Sequence, residues 1–273
     1  MKLANKIIVV TGAGGGIGRQ LTLGLIARGA RVAAVDLRQE GLRETAALAG
    51  AGDRLSRHEV DISDRASVEA LPAAVEAAHG AVDGVINNAG VIQPFVPFND
   101  LDYAVIDRMI SVNLYGPIHM IKAFLPRLLA RPEAHIANVS SMGGFFPFPG
   151  QTMYGAAKAG VKLLTEGLYA ELLRTNVAVS VVLPGAIATD IAKNSGVRMG
   201  PTSDDASAAA MRPEEAAQVI LDGVEADKLH IFVGRDSKLM NVVSKVMPEL
   251  ATRLVERQMR GLIAVPKSDA DER

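Results

Sequence analysis

The chain has 273 residues, 49% hydrophobic and 22% charged, enough apolar material to bury one continuous core, which sets aside disordered and fibrous classes. A formal net charge of −1, a pI near 6.5 and the lack of any long Lys/Arg block supply no field for holding phosphate backbones, so nucleic acid is not an expected partner. The absence of cysteine excludes disulfides, thiolate catalysis and zinc-finger chemistry, and fits a reducing compartment.

The first element, "KIIVVT", is a short apolar strand. Its four strongly apolar residues are too few for a secretory h-region, and no later run approaches the ~18 residues that span a bilayer, so the expectation is a soluble, cytoplasmic protein without a membrane role. Directly after the strand comes "TGAGGGIG", and then the helical "RQLTLGLIARG". Glycine lets the backbone approach a pyrophosphate closely, and a helix N-terminus offers free N–H groups, so strand, glycine cluster and helix together predict a dinucleotide cradle. The spacing is G-x-x-x-G-x-G on Gly12, Gly16 and Gly18, because Ile17 stands where the third glycine of G-x-G-x-x-G would fall.

A second strand, "RVAAVD", ends at Asp36, 18 residues after Gly18 and close to the ~20 at which an acidic residue meets the adenosine ribose. A carboxylate there repels a 2′-phosphate and predicts NAD over NADP, with Arg38 as the complicating neighbour. The alternation continues through a weaker strand "LSRHEV" before Asp61, the helical "ASVEALPAAVEAAHG", and strands "GVINN", "HIANVS", "VAVSVVLPG" and "HIFVG". Short continuous apolar strands between helices predict a doubly wound, Rossmann-like parallel α/β sheet with helices on both faces.

One domain is expected over residues 1–265, followed by a charged tail at 266–273. Two long helices are expected, near Asp102 to Leu129 and Gly150 to Arg174. The Gly-, Ser- and Asp-rich stretch 186–212 breaks the pattern and reads as a substrate loop. A helical segment at 236–263 carries Leu239, Val242, Val243, Val246, Leu250, Leu254 and Met259 at helical spacing, with Pro248 opening a second helix. It is expected to pack on the subunit or over the pocket rather than on lipid. The N-V-S triplet at Asn138 lies in a strand and is taken as a chance sequon, and the five histidines show no ligand spacing, so no metal is expected.

With "TGAGGGIG", "NNAG" at 87–90, Asn113, "NVSS" ending at Ser141, "YGAAK" at 154–158 and "LPGAIAT" at 183–189, the chain resembles the short-chain dehydrogenase/reductase family. The resemblance implies a seven-stranded parallel sheet, usually in homodimers or homotetramers, and an oxidoreductase using NAD(P). It makes Tyr154 the general acid/base, Lys158 the cation that acidifies the phenol and binds the nicotinamide ribose, Ser141 the donor to the substrate oxygen in preference to Ser140, and Asn113 the residue that kinks its helix and holds a water leading to the lysine. Beside Gly12, Gly16, Ile17, Gly18 and Asp36, it places Asp61 and Ile62 at the adenine, Asn88, Ala89 and Gly90 along the cofactor, and Pro184, Gly185, Ile187 and Thr189 over the nicotinamide. Asn87 is read as structural.

The expected substrate is a hydrophobic secondary alcohol or ketone, because Phe145, Phe146 and Phe148 lie in the one loop joining Ser141 to Tyr154, with Phe95 and Phe98 after the fourth strand and Met199 and Met211 bracketing the flexible segment. An NADPH-dependent 3-oxoacyl reductase and a catalytically idle nucleotide-binding regulator are the rival readings.

Overall fold

Six short apolar runs become strands because each is buried between two layers of helices. In the computed structural model, which describes residues 1–197 and 210–259, seven parallel strands form one sheet in the order β3-β2-β1-β4-β5-β6-β7. They are β1 (Ile7–Thr11), β2 (Arg31–Asp36), β3 (Leu55–Glu59), β4 (Gly84–Asn87), β5 (Ala134–Val139), β6 (Val177–Pro184) and β7 (His230–Val233). The weakly apolar "LSRHE" lies at an edge, where a strand has one neighbour and less to bury.

Alternation along the strands sorts side chains to two faces. Ile8, Val10, Val32, Ala34, Ile86 and Val182 meet α1 (Gly16–Ala27) and α8 (Pro213–Glu225), through residues such as Leu21, Leu25 and Ile220. Val9, Val35, Val85, Ile136 and Val179 meet α3 (Arg65–His79), α5 (Gly116–Leu129) and α6 (Thr152–Leu172), through Val68, Leu71, Phe124 and Leu168. The remaining early helix, α2 (Gln39–Ala49), adds Leu42 to the first face. The chain enters at β1, builds outward to β3, then returns to place β4 on the other side of β1. This reversal leaves a crevice at the carboxyl ends of β1 and β4, the position at which open α/β sheets bind ligands.

The expected helix near 102–129 is α4 (Tyr103–Ile110) and α5 joined by a π turn at Ser111–Tyr115. Asn138 is fully buried in β5, out of reach of glycosylation. After β7 come α9 (Arg235–Val246) and α10 (Pro248–Met259), the second opened by Pro248 as expected. Their apolar stripe is not packed on the subunit: Leu239, Val242, Val246, Leu250 and Leu254 are all exposed. The reason is that α9 meets the body through Ser237, fully buried and donating to the Leu183 carbonyl at 2.7 Å, while α10 is anchored through buried Ala251. Residues 260–263 of that segment, the 266–273 tail and Met199 lie outside the described residues. Among the described residues no helix is long and apolar enough to cross a membrane.

Candidate active site

Two glycines shape the loop after β1. Gly12 has φ +69°, and a Cβ there would lie 2.8 Å from Asn88 Nδ2 and 2.9 Å from Ala89 Cα. A Cβ on Gly18 would lie 1.9 Å from the Gly12 carbonyl oxygen, so any side chain forces the loop off the start of α1. Helix α1 begins at Gly16 without a side-chain cap, leaving first-turn N–H groups for an anion. Ile17 packs against the core beneath the loop, and Thr189 reaches the position a Gly16 Cβ would occupy to within about 3.5 Å.

The β4 end is tied to the same loop. Thr11 Oγ1 accepts the N–H groups of Asn88 at 3.0 Å and Ala89 at 3.1 Å, and Asn88 Nδ2 donates to the Thr11 carbonyl at 3.0 Å. Asn87 donates instead to Asn138 Oδ1 at 2.8 Å, and Asn138 donates to Thr165 at 3.0 Å, a buried ladder that joins β4, β5 and α6. Asp36 closes the other side, its two oxygens accepting the N–H groups of Gly14 and Arg38, each at 2.9 Å. The Arg38 guanidinium donates to Asn194 Oδ1 at 3.0 Å, at the end of the short helix α7 (Ile191–Asn194). Asp61 is exposed and accepts from the Ser63 N–H and hydroxyl at 2.8 and 2.6 Å, while Ile62 is buried against Gly116.

At the turn after β6, Asp236 Oδ2 accepts the Ala186 N–H at 2.8 Å, and a Cβ on Gly185 would lie 2.1 Å from that oxygen. Pro184 is buried at the strand end, and Ile187 pairs with Met211, joining the two ends of the 186–212 stretch.

Tyr154 and Lys158 stand one turn apart on α6. Lys158 is 3% exposed; its Nζ donates to the Val139 carbonyl at 2.9 Å and lies 5.9 Å from the Tyr154 ring centroid. Burial lowers its pKa from 10.5 to about 8. Burial also pushes the Tyr154 phenol above its ordinary value, against a hydrogen bond with Ser141 that pulls it down. Among the chain's own groups, desolvation of the phenol outweighs the Ser141 bond, and the Lys158 ammonium sits on a strand carbonyl.

Ser141 Oγ accepts the Gly143 N–H at 3.0 Å and is the serine on the tyrosine. Its neighbour Ser140 is buried and donates to the Lys158 carbonyl at 2.7 Å, a structural bond. Asn113 is fully buried in the π turn, where Oδ1 accepts the Val91 N–H at 3.0 Å and Nδ2 donates to the Val91 carbonyl at 2.9 Å. A Cβ on Gly90 would lie 2.9 Å from that Oδ1 and 3.2 Å from Lys158 Nζ, so Gly90 is where the β4 loop, the π turn and α6 converge.

A family model described as short chain dehydrogenase matches residues 6–199, a span holding every residue placed in this cleft except Met211 and Asp236. The chain belongs to the short-chain dehydrogenase family. A Mycobacterium tuberculosis protein designated SadH is 37% identical over 259 residues, covering 92% of this chain and 94% of its own. Among solved structures, a short chain dehydrogenase from Burkholderia cenocepacia in complex with NADP is 26% identical with a TM-score of 0.79, covering 93% and 99%. A 3-ketoacyl-(acyl-carrier-protein) reductase from Brucella melitensis complexed with NADH is 26% identical with a TM-score of 0.76, covering 85% and 99%.

The dehydrogenase does not gather its phenylalanines into one wall. Phe146 is buried and meets Phe148 edge-on at 5.5 Å, whereas Phe145 meets Phe232 of β7 edge-on at 6.4 Å. Phe95 is half-buried in the loop after β4 and Phe98 is exposed. Two polar residues that no motif marks, Gln93 and Asp236, hold the cleft's backbone, as does Thr11 at the head of the glycine motif; a lone glutamine or aspartate carries no spacing signal. Among the described residues there is no group of three or more His, Asp or Glu placed to hold a metal ion.

Proposed function

We propose that this short-chain dehydrogenase moves hydride between NAD(H) and a hydrophobic secondary alcohol or its ketone. The observation that carries the reading is the Ser141–Tyr154 pair with Lys158 buried one turn away. A module that only binds nucleotide needs no such proton-handling set. The cradle fits a dinucleotide because α1 starts at Gly16 without a side-chain cap, leaving first-turn N–H groups for a phosphate, while Gly12 and Gly18 pack so closely on the loop's own backbone and Asn88 that only glycine keeps this shape. Gly12, Gly16, Ile17, Gly18, Asp36, Asp61, Ile62, Asn88, Ala89 and Gly90 would hold the adenosine and phosphate part, and Lys158, Pro184, Gly185, Ile187 and Thr189 the nicotinamide part.

When bound, the nicotinamide supplies the hydride acceptor or donor. The chain's own part is proton handling at the substrate oxygen. Tyr154 Oη takes or gives the proton, and Ser141 Oγ hydrogen-bonds the same oxygen and favours the phenolate. Lys158, positively charged below about pH 8, is the one cation buried at the site. Asn113 keeps the loop bearing Gly90 against that lysine.

The Asp36 carboxylate supports NAD, since a 2′-phosphate would meet a negative charge already fixed by two N–H groups and Arg38 is engaged with Asn194. The apolar substrate class rests on the half-buried Phe95, Phe145 and Phe148 in the loops near Ser141 and Tyr154, while Phe146 goes into the fold's own packing. A reducing, cytoplasmic setting and a homodimer or homotetramer complete the proposal.

The test is a spectrophotometric screen for NADH and NADPH formation across sterols, long-chain alcohols, cyclic alcohols, hydroxyacyl thioesters and polyols. Turnover of an apolar alcohol with NAD is expected, at a kcat/KM about tenfold or more above that with NADP. A polyol turned over best would refute the substrate class. Thermal stabilisation by NAD with no turnover would favour the idle regulator, and preference for a hydroxyacyl thioester with NADP the 3-oxoacyl reductase.

A further inference from the structure

Tyr154 lies in the first turn of α6, where a helix has the fewest bonds of its own. The helix starts at Thr152, and the residue before it, Gln151, makes no side-chain cap bond. The missing cap comes from sixty residues away. Gln93, in the loop after β4 and fully buried, accepts the Met153 N–H at 2.9 Å and the Tyr154 N–H at 3.0 Å on Oε1. Its Nε2 donates to the Gly150 carbonyl at 3.0 Å, and its own carbonyl accepts Gln151 Nε2 at 2.8 Å. One side chain thus satisfies two N–H groups that a helix start leaves without partners. Both belong to the residues that aim the tyrosine ring.

Lys158, four residues further on, is held separately by the Val139 carbonyl. Loosening the first turn therefore displaces the phenol relative to Ser141 without displacing the lysine. We propose that Gln93 is a positioning residue for the proton-transfer step, a helix cap supplied by the loop after β4 that keeps the Tyr154 hydroxyl on Ser141. The inference rests on the reading of Tyr154 as the acid/base.

The experiment compares wild type with Gln93→Met, which keeps length and apolar packing, and Gln93→Glu, whose buried, neutral carboxyl keeps both an acceptor for the two N–H groups and a donor to the Gly150 carbonyl. NADH binding, kcat with the ketone of the best alcohol of the screen above, the pH dependence of kcat and hydrogen exchange at the Met153 and Tyr154 amides are measured. Gln93→Met is expected to bind NADH within twofold of wild type, to lose at least tenfold in kcat, to exchange both amides faster and to move its pH profile alkaline as the Ser141 bond to the phenol loosens. Gln93→Glu is expected to recover most of the kcat and the amide protection.

A kcat for Gln93→Met within threefold of wild type or an unmoved pH profile would overturn the proposal, because a purely structural glutamine lowers stability without moving them, and unchanged exchange at the two amides would overturn the cap itself. Tyr154→Phe run alongside separates the two ideas. Turnover surviving in Tyr154→Phe sinks the acid/base reading, whereas the exchange rates in Gln93→Met, measured without substrate, judge the cap itself.

Discussion

Replacing Lys158 with methionine should stabilise the protein at neutral pH while removing its activity. The lysine is 3% exposed and its pKa falls from 10.5 to about 8 through burial. At about 1.4 kcal/mol per pH unit, holding it charged in the fold costs roughly 3 kcal/mol at pH 7. Methionine fills similar space without the charge, but leaves the Val139 carbonyl without the donor that bonds it at 2.9 Å, a loss of about 1–3 kcal/mol. The net expectation is a variant about 1 kcal/mol more stable than wild type at pH 7.

The sign of the pH dependence follows from the depressed pKa of a base. Below pH 8 the folded and unfolded states are both protonated and the full penalty applies; between about 8 and 10.5 only the unfolded state holds the proton, so wild-type stability rises with pH. The variant's advantage should therefore shrink, and reverse at about pH 9. Paired urea denaturation at one protein concentration, read as the difference between the two proteins at several pH values, cancels the other titrating groups. A difference that does not change with pH, or a variant more than about 1 kcal/mol less stable than wild type at pH 7, would refute the reasoning.

Tyr154→Phe should abolish turnover while leaving NADH affinity within about threefold, checked by single-turnover assay and fluorescence titration. Gly18→Ala should abolish cofactor-induced thermal stabilisation, because its Cβ would lie 1.9 Å from the Gly12 carbonyl oxygen. Asp36→Asn should raise NADP efficiency relative to NAD and also cost about 1–3 kcal/mol in denaturation, since an amide has one acceptor oxygen for the two N–H groups, of Gly14 and Arg38, that the carboxylate accepts.

Much of the fold was legible because a strand buried on both faces has to be apolar, as "IIVV" is, or hydrogen-bonded where it is not, as His135 and Asn138 are in "AHIANV". The glycine cradle was legible for a similar reason, since its residue type is dictated by contacts shorter than any Cβ allows. The acidity of Tyr154 was not legible. It depends on how desolvation of the phenol compares with a hydroxyl and an ammonium at particular distances, and spacing along a helix does not contain those distances. The phenylalanines failed as one group because ring orientation is set by neighbours such as Phe232, more than eighty residues away in sequence. The apolar stripe of α9 and α10 shows the reverse limit: periodicity gives the face of a helix but not what covers it.

The polar residues around the cleft share one habit, and it bears on how the site works. Thr11 holds the amides of Asn88 and Ala89, Asp36 those of Gly14 and Arg38, Asn113 both backbone groups of Val91, Gln93 the start of α6, and Asp236 the turn at Ala186. Apart from the Arg38 amide, which Asp36 holds within its own turn, a side chain from one segment binds the backbone of another, so the loops at the carboxyl edge are fixed to each other more than by their own turns. Loops held in this way keep the uncapped first-turn N–H groups of α1 in place for an anion with little reorganisation, and the cost of ordering them is met on folding rather than on binding. Lys158 is the exception that gives this meaning. Among the described residues it is the cation buried at the site, charged at neutral pH against the cost of its burial, so destabilisation of the functional site falls on this ammonium, while the surrounding backbone is over-determined enough to hold it there.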